Sequence, residues 1–202
     1  MTPRGYGPGA SFCPRCAAPL PGPAPTTCVG CGYQLFVNAR PTAGLVLLDR
    51  EPGWADGPAG ADDAGPRFLA LRRAAEPMIG RWETPGGFCD GWEHPADAAL
   101  REAREELGVK VTIGDCLGMF VGSYEFQDEV LPVLDVFFLA TLEEDAIVLD
   151  PAEATEWRWF PLFDPPPLAF ATMDQAVRVA AQRLRRGDGP GPAGADERGR
   201  RV

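Results

Sequence analysis

The chain has 202 residues, a formal net charge of −10 and 45% hydrophobic residues. That length supports one main domain with a small appendage, and the ordinary apolar content supports a buried core. No apolar run is long enough to span a membrane, and so acidic a surface, with no basic run before the extreme C-terminus, repels nucleic-acid backbones and anionic lipid.

Residues 1–11 are rich in glycine and proline and are expected to be disordered. This start has neither the basic opening nor the apolar core of a secretory signal, so the cytoplasm is the expected setting. Residues 12–36 carry Cys13-Pro-Arg-Cys16 and Cys28-Val-Gly-Cys31, while Cys89 and Cys116 stand alone. Two CxxC pairs without a secretory signal read as a metal site rather than as disulfides. Four thiolates offered from two turns make a closed tetrahedral set suited to structural Zn²⁺; four free or redox-active thiols are the competing reading.

The main domain is expected over 37–186. Strands are predicted at 42–49 (TAGLVLLD) and 67–73 (RFLALRR), with the Gly, Pro, Ala and Asp of 51–66 forming a mobile hairpin loop between them. A helix follows from about 94 to 107, then strands at 117–121, 131–142 and 156–160. Thr172-Met-Asp-Gln175 reads as a capping box before a last helix, and residues 187–202 as a disordered tail. This order predicts a mixed α/β domain whose helices cover a sheet.

The segment PGGFCDGWEHPADAALREAREELGV, residues 85–109, concentrates acids directly behind a glycine turn. At roughly 100° per residue, Ala96, Ala99, Leu100, Ala103 and Leu107 form one apolar stripe, and Glu102, Glu105 and Glu106 crowd the other side. Pro95 suits the first turn, Gly108 the stop, and His94 an exposed cap. Three carboxylates at i, i+3 and i+4 repel one another, and Arg101 relieves only part of that. A surface helix explains the stripe but not the crowding. A hard cation such as Mg²⁺ explains the crowding, because it neutralises the acids and keeps sites open for phosphate oxygens.

The pattern Gly87-x5-Glu93-x7-Arg101-Glu102-Ala103-x-Glu105-Glu106-x-Gly108-Val109 resembles the Nudix box. With the two cysteine pairs, and with Cys31-Gly-Tyr33-x2-Phe36-x-Asn38-x-Arg40-Pro41 behind them, the chain is similar to zinc-ribbon Nudix hydrolases over about residues 12–186. The resemblance implies an α/β/α sandwich with a mixed sheet, preceded by a small zinc ribbon with four cysteine ligands. It implies Mg²⁺ or Mn²⁺ held by Glu102, Glu105, Glu106 and the Gly86 carbonyl, with Arg101 orienting the acids and Glu93 tuning charge. In the lead-in, Thr84 stands where the family usually has an aliphatic residue.

The implied chemistry is metal-assisted hydrolysis of a pyrophosphate. The general base is left open among the box glutamates, Glu125, Asp128, Glu129, Glu153 and Glu156, each of which also reads as an ordinary surface acid. Trp82, Gly86, Gly87 and Tyr124 are candidate substrate contacts, although core packing is the better default for either aromatic. Pro167-Leu-Ala-Phe170 resembles the ADP-ribose and FAD branch, while GMFVGSYEFQDEVLPV after the box departs from the NADH pyrophosphatase pattern. The expected substrate is ADP-ribose, FAD or NAD(H), cleaved to release AMP. Nucleoside triphosphate or RNA-cap hydrolysis, and a non-catalytic nucleotide sensor, are the alternatives. The expected partner is a nucleotide-type small molecule, with no membrane and no nucleic acid, and a homodimer is in keeping with the family.

Overall fold

The computed structural model describes residues 10–49, 65–126, 129–143 and 146–186. The expected disordered ends and the expected loop at 51–66 lie outside the described residues, except positions 10, 11, 65 and 66. Two units are distinguished by their internal contacts. One holds the chain through Arg40 together with Ser123–Val133, and the other holds Pro41–Gly122 and everything from Leu134 onward.

In the first unit the two cysteine turns are built alike. Phe12 bridges to Pro19, Cys13 N–H donates to Ala18 O (2.8 Å), and Ala17 N–H donates to Cys13 O (2.8 Å). The second turn sits on a hairpin of β1 (Thr26–Thr27) and β2 (Gln34–Leu35), where Cys28 N–H donates to Tyr33 O (2.8 Å) and Gly32 N–H to Cys28 O (2.9 Å). Each turn closes on a left-handed residue directly after its second cysteine, Ala17 (φ 58°) and Gly32 (φ 73°).

The remaining elements are β3 (Arg40–Leu48), β4 (Arg67–Arg73), β5 (Trp82–Glu83), β6 (Gly86–Phe88), α1 (Pro95–Leu107), β7 (Val111–Phe126), β8 (Glu129–Leu142), β9 (Ala154–Pro161) and α2 (Ala171–Arg186). Among the described residues they form a seven-stranded sheet ordered β5-β4-β3-β8-β7, with β6 on β3 and β9 on β4. The two-residue period of the strands sorts their side chains onto two faces. Ala43, Leu45, Leu47, Leu69, Leu71, Val136 and Phe138 pack with Ala99, Ala103 and Leu107 of α1. Val46, Leu48, Phe68, Ala70, Phe137 and Leu139 pack with Ala176, Val177 and Ala180 of α2. A helix on each face gives the α/β/α sandwich that the resemblance implied.

One irregularity positions the site. β3 and β4 are paired at Leu48–Phe68, but further along β3 turns to β6 (Thr42–Phe88, Gly44–Gly86) and β4 to β5 (Leu71–Glu83). The strands part there, and the glycine-rich segment fills the opening, with Pro85 O accepting from Leu45 N–H (2.9 Å).

Two expectations are corrected. β7 runs over sixteen residues rather than 117–121. Gly114, Gly118 and Gly122 interrupt its pattern, and as the last strand of the sheet order it lacks the doubly buried run of an inner strand. The capping box at 172–175 is not formed. α2 begins at Ala171, Thr172 is buried in its first turn, and Asp174 Oδ1 accepts the Leu168 N–H instead (3.3 Å).

Thr84, between β5 and β6, is fully buried, and its hydroxyl has no partner among the described residues. An orphaned buried hydroxyl costs about 1–3 kcal/mol. Thr84→Val keeps the shape and is therefore expected to raise the melting temperature by about 2–4 °C. A lower melting temperature in calorimetry would show that the hydroxyl has a partner after all.

Candidate functional site

α1 starts as its sequence dictates. His94 is exposed at the N-cap and accepts the Ala96 N–H on Nδ1 (3.2 Å), Pro95 takes the first turn, and Gly108 closes the helix in the left-handed region (φ 66°). The apolar side is broader than the expected stripe, because Ala98 is buried as well and Ala96 and Leu100 only partly so. Glu106 departs further. It was placed on the polar side with Glu102 and Glu105, yet it is 5% exposed. The physical reason is the glycine segment, which packs onto that side of the helix and donates Gly86 N–H to Glu106 Oε2 (2.9 Å).

Arg101 gathers the other acids. Its Nε donates to Glu93 Oε1 (3.0 Å), one terminal nitrogen to Glu102 Oε1 (2.7 Å) and Glu105 Oε2 (2.8 Å), and the other to Glu93 Oε2 (3.0 Å) and Phe88 O (2.9 Å). A planar guanidinium can serve all of these at once, whereas an ammonium cannot hold the same fork. The Arg101 bond, helped by the Asp90 N–H, pulls the Glu93 carboxyl below its ordinary range. A Cβ on Gly87 would displace the Glu102 carboxylate, and one on Gly86 (φ 144°) would run into the backbone of Ala43 and Gly44, so the turn requires glycine at 86.

The field around these acids is negative. Burial pushes the Glu102 carboxyl up against the pull of Arg101. Burial pushes Glu106 well above the carboxylate range, Glu83 adds repulsion, and the Gly86 bond opposes both. Glu83, on β5, is buried and bonded to Arg73; burial raises its carboxyl to about 7 although Arg73 pulls it back. Neither Glu83 nor Arg73 had been assigned a role from sequence.

Among the candidate bases, Glu153 lies where its charge acts on Glu83, Glu102 and Glu106 together. Its carbonyl is tied to Ala74 N–H (2.9 Å), which anchors that loop to the end of β4. Glu156 is instead paired with Arg72 and Arg158 on the sheet. Glu125 and Glu129 belong to the cysteine-bearing unit, and Asp128 lies outside the described residues.

Trp82 is engaged in packing, edge-on to Phe160 at 4.8 Å with the Arg158 guanidinium 5.7 Å from its ring centre. Tyr124 is on the part of β7 that falls in the cysteine-bearing unit. Glu102, Glu105 and Glu106 share one helix but their oxygens do not converge within 4.8 Å, a spacing that only the cysteine group meets among the described residues. The cause is visible in the bonds: Arg101 draws Glu102 and Glu105 one way and Gly86 draws Glu106 another.

The four cysteines place one Sγ each within 4.8 Å of the others. Cys13 and Cys31 are 3.7 Å apart at sulfur and Cys16 and Cys28 3.6 Å. Disulfide sulfurs stand about 2.05 Å apart, so these thiols are unbridged. Four sulfurs on a tetrahedron about 2.3 Å from a central ion would stand roughly 3.8 Å apart, close to the spacing seen. Arg15 N–H also points at Cys13 Sγ (3.4 Å). No described helix is long and apolar enough to cross a membrane.

A family model described as NUDIX domain matches residues 40–181. The chain is 37% identical over 98 residues to the low-salt glycan biosynthesis protein Agl8 of Haloferax volcanii, an alignment covering 46% of this chain and 60% of that protein. It is 32% identical over 102 residues to the NAD-capped RNA hydrolase NudC of Pseudomonas putida, covering 50% of this chain and 34% of that one. Both alignments span less than two thirds of the relative's own length. Among solved structures, the NUDIX hydrolase from Nitrosomonas europaea superposes with a TM-score of 0.64 at 20% identity, over 91% of this chain and 96% of the other. At that identity, what the two share is the fold.

Proposed function

The chain belongs to the Nudix family, and from that premise we propose that it is a Mg²⁺-dependent pyrophosphatase acting on a nucleoside diphosphate linked to another moiety. ADP-ribose, FAD or NAD(H) is the substrate class, and AMP is a product. The observation that carries this reading is the double fastening of the acids: Arg101 holds Glu93, Glu102 and Glu105, while the Gly86 N–H holds Glu106. A solvated helix face needs neither.

The donor set is all oxygen and strongly negative, which fits Mg²⁺ or Mn²⁺. Such ions keep several waters and need only one or two direct carboxylates, so the spread of the glutamates is no obstacle. Glu102, Glu105, Glu106 and the Gly86 carbonyl would hold the metal. Its chemistry, when bound, is to offset charge on the pyrophosphate oxygens and to lower the pKa of a coordinated water. The chain's own part is to hold the acids in place, through Arg101 and Gly86, and to supply a base. Glu153 is assigned that role, since among the described candidates outside the box helix it alone adds its charge to three acids of the site.

Glu153→Gln is expected to lower kcat by about 10²- to 10⁴-fold with little change in KM, and Glu156→Gln to leave kcat within a few-fold. Equal rates for the two variants in steady-state assays would remove Glu153 from the reaction. The whole reading is tested by a Mg²⁺-supplemented panel of ADP-ribose, FAD, NADH and nucleoside triphosphates, scored for AMP release. Release of AMP from none of the dinucleotides would overturn it.

The cysteine group is assigned a structural Zn²⁺ that braces its own unit. All six cysteines are free thiols, in keeping with a reducing compartment such as the cytoplasm. A relative named for NAD-capped RNA makes the NAD cap of an RNA a second reading for the same chemistry, although a net charge of −10 disfavours a long RNA chain.

A further inference from the structure

Away from the acid site, one buried carboxyl side chain has no cation beside it among the described residues. Asp135 of β8 is 9% exposed, and its Oδ1 accepts the hydroxyl of Thr42 on β3. No described donor is bonded to its Oδ2, and no described cation pairs with it. That oxygen, unlike the Thr84 hydroxyl, is not sealed from solvent. A ligand donor would complete it.

Its place in the sheet is specific. Asp135 alternates with Phe137 and Leu139, and Thr42 with Gly44, Val46 and Leu48, so both point to the face that α2 covers with apolar contacts further along. Phe137 stands against Gly44, and one step beyond that rung the apolar face ends at the Thr42–Asp135 pair. Thr42 is the direct cross-strand partner of Phe88, and Gly44 that of Gly86. Phe88 gives its carbonyl to Arg101 and Gly86 gives its N–H to Glu106. Backbone that frames the acid site is therefore the direct neighbour of Thr42, while the side chains of the pair stand on the sheet face opposite α1. A nucleotide whose diphosphate lies at the acids would have to pass β6 to set its base at this pair.

The hydroxyl proton of Thr42 is committed to Asp135, so the pair offers only lone pairs to a ligand. It can accept an N–H but would oppose a carbonyl. We propose that Asp135, held by Thr42, reads the substrate's base and selects one with an exocyclic amine, such as adenine, over one with a carbonyl there, such as hypoxanthine. The setting of this inference rests on the nucleotide-hydrolysis reading.

The test titrates AMP and IMP into the full chain with Mg²⁺ by calorimetry, and separately compares kcat/KM for ADP-ribose and its inosine analogue. The natural protein is expected to favour AMP about 10- to 100-fold, since a mispaired buried acceptor costs on that order. Asp135→Asn puts an N–H₂ where a lone pair was, and should bring the two ligands within about threefold or reverse them. Thr42→Val removes the hydroxyl that orients the carboxylate and should narrow the preference less; it provides a second measurement if the first variant folds poorly. Equal binding of AMP and IMP by the natural protein, or an unchanged ratio in Asp135→Asn, would overturn the inference. A ratio that collapses in Asp135→Asn while ADP-ribose is not cleaved would sustain base reading and defeat the pyrophosphatase assignment alone.

Discussion

Glu106→Gln is expected to lower kcat by roughly a thousandfold or more while the protein stays folded. The amide keeps the shape of the carboxylate, and its oxygen can still accept the Gly86 N–H. What it lacks is the charge that would face the metal. That charge is a burden to the metal-free fold, because Glu106 is buried and is repelled by Glu83. The same substitution is therefore expected to raise the melting temperature of metal-free protein at neutral pH. The pH dependence has a definite sign. The Glu83 carboxyl is raised from 4.5 to about 7, so the fold favours its protonated form. Its stabilising contribution is full below about 4.5 and is lost as pH rises through about 7. Metal-free natural protein should melt progressively lower across that window, and Glu106→Gln should flatten the decline by removing a second carboxyl that burial holds above its ordinary range. Turnover at the natural rate by this variant would take Glu106 out of the site.

Cys28→Ser is the second large effect. Among the described residues through Arg40 only Cys13 and Cys28 are buried, so this segment has no apolar core of its own. Structural zinc sites supply apparent free energies of about 10–16 kcal/mol in small domains, far more than two short turns can supply unaided. The variant is expected to lose its one zinc ion per chain by elemental analysis, and residues 12–36 to lose the dispersed amide signals of a folded turn. Natural protein purified without chelator, carrying no zinc and showing four readily titrated thiols, would overturn the metal assignment.

The parts of this protein that could be read from sequence are those governed by local periods. Cap, stop and apolar side of α1 follow from His94, Pro95, Gly108 and a 3.6-residue repeat, and β4 follows from the seven residues of RFLALRR. The burial of Glu106 does not, because it depends on a glycine segment twenty residues earlier that packs against the helix only after β3 and β4 part. Arg73 and Glu83 escape for the same reason: they meet across two strands, and nothing in either segment announces the other. Asp135 sits in LPVLDVFFLATL, where a single acid looks like an exposed break in an apolar strand until the sheet places it next to Thr42. Thr172 misleads in the opposite direction, since a good capping residue is buried once the helix starts one residue before it.

The five bonds of Arg101 give the acid site the wiring of a hub with one bypass, the Gly86 bond to Glu106. Glu93, Glu102, Glu105 and the Phe88 carbonyl are each tied to that one side chain. Damage at any spoke leaves the others seated. Damage at the hub frees Glu93, Glu102, Glu105 and the Phe88 carbonyl from it together, leaving the Gly86 bond to Glu106 to tie turn to helix, and the tolerance of this protein to mutation should be as uneven as that wiring.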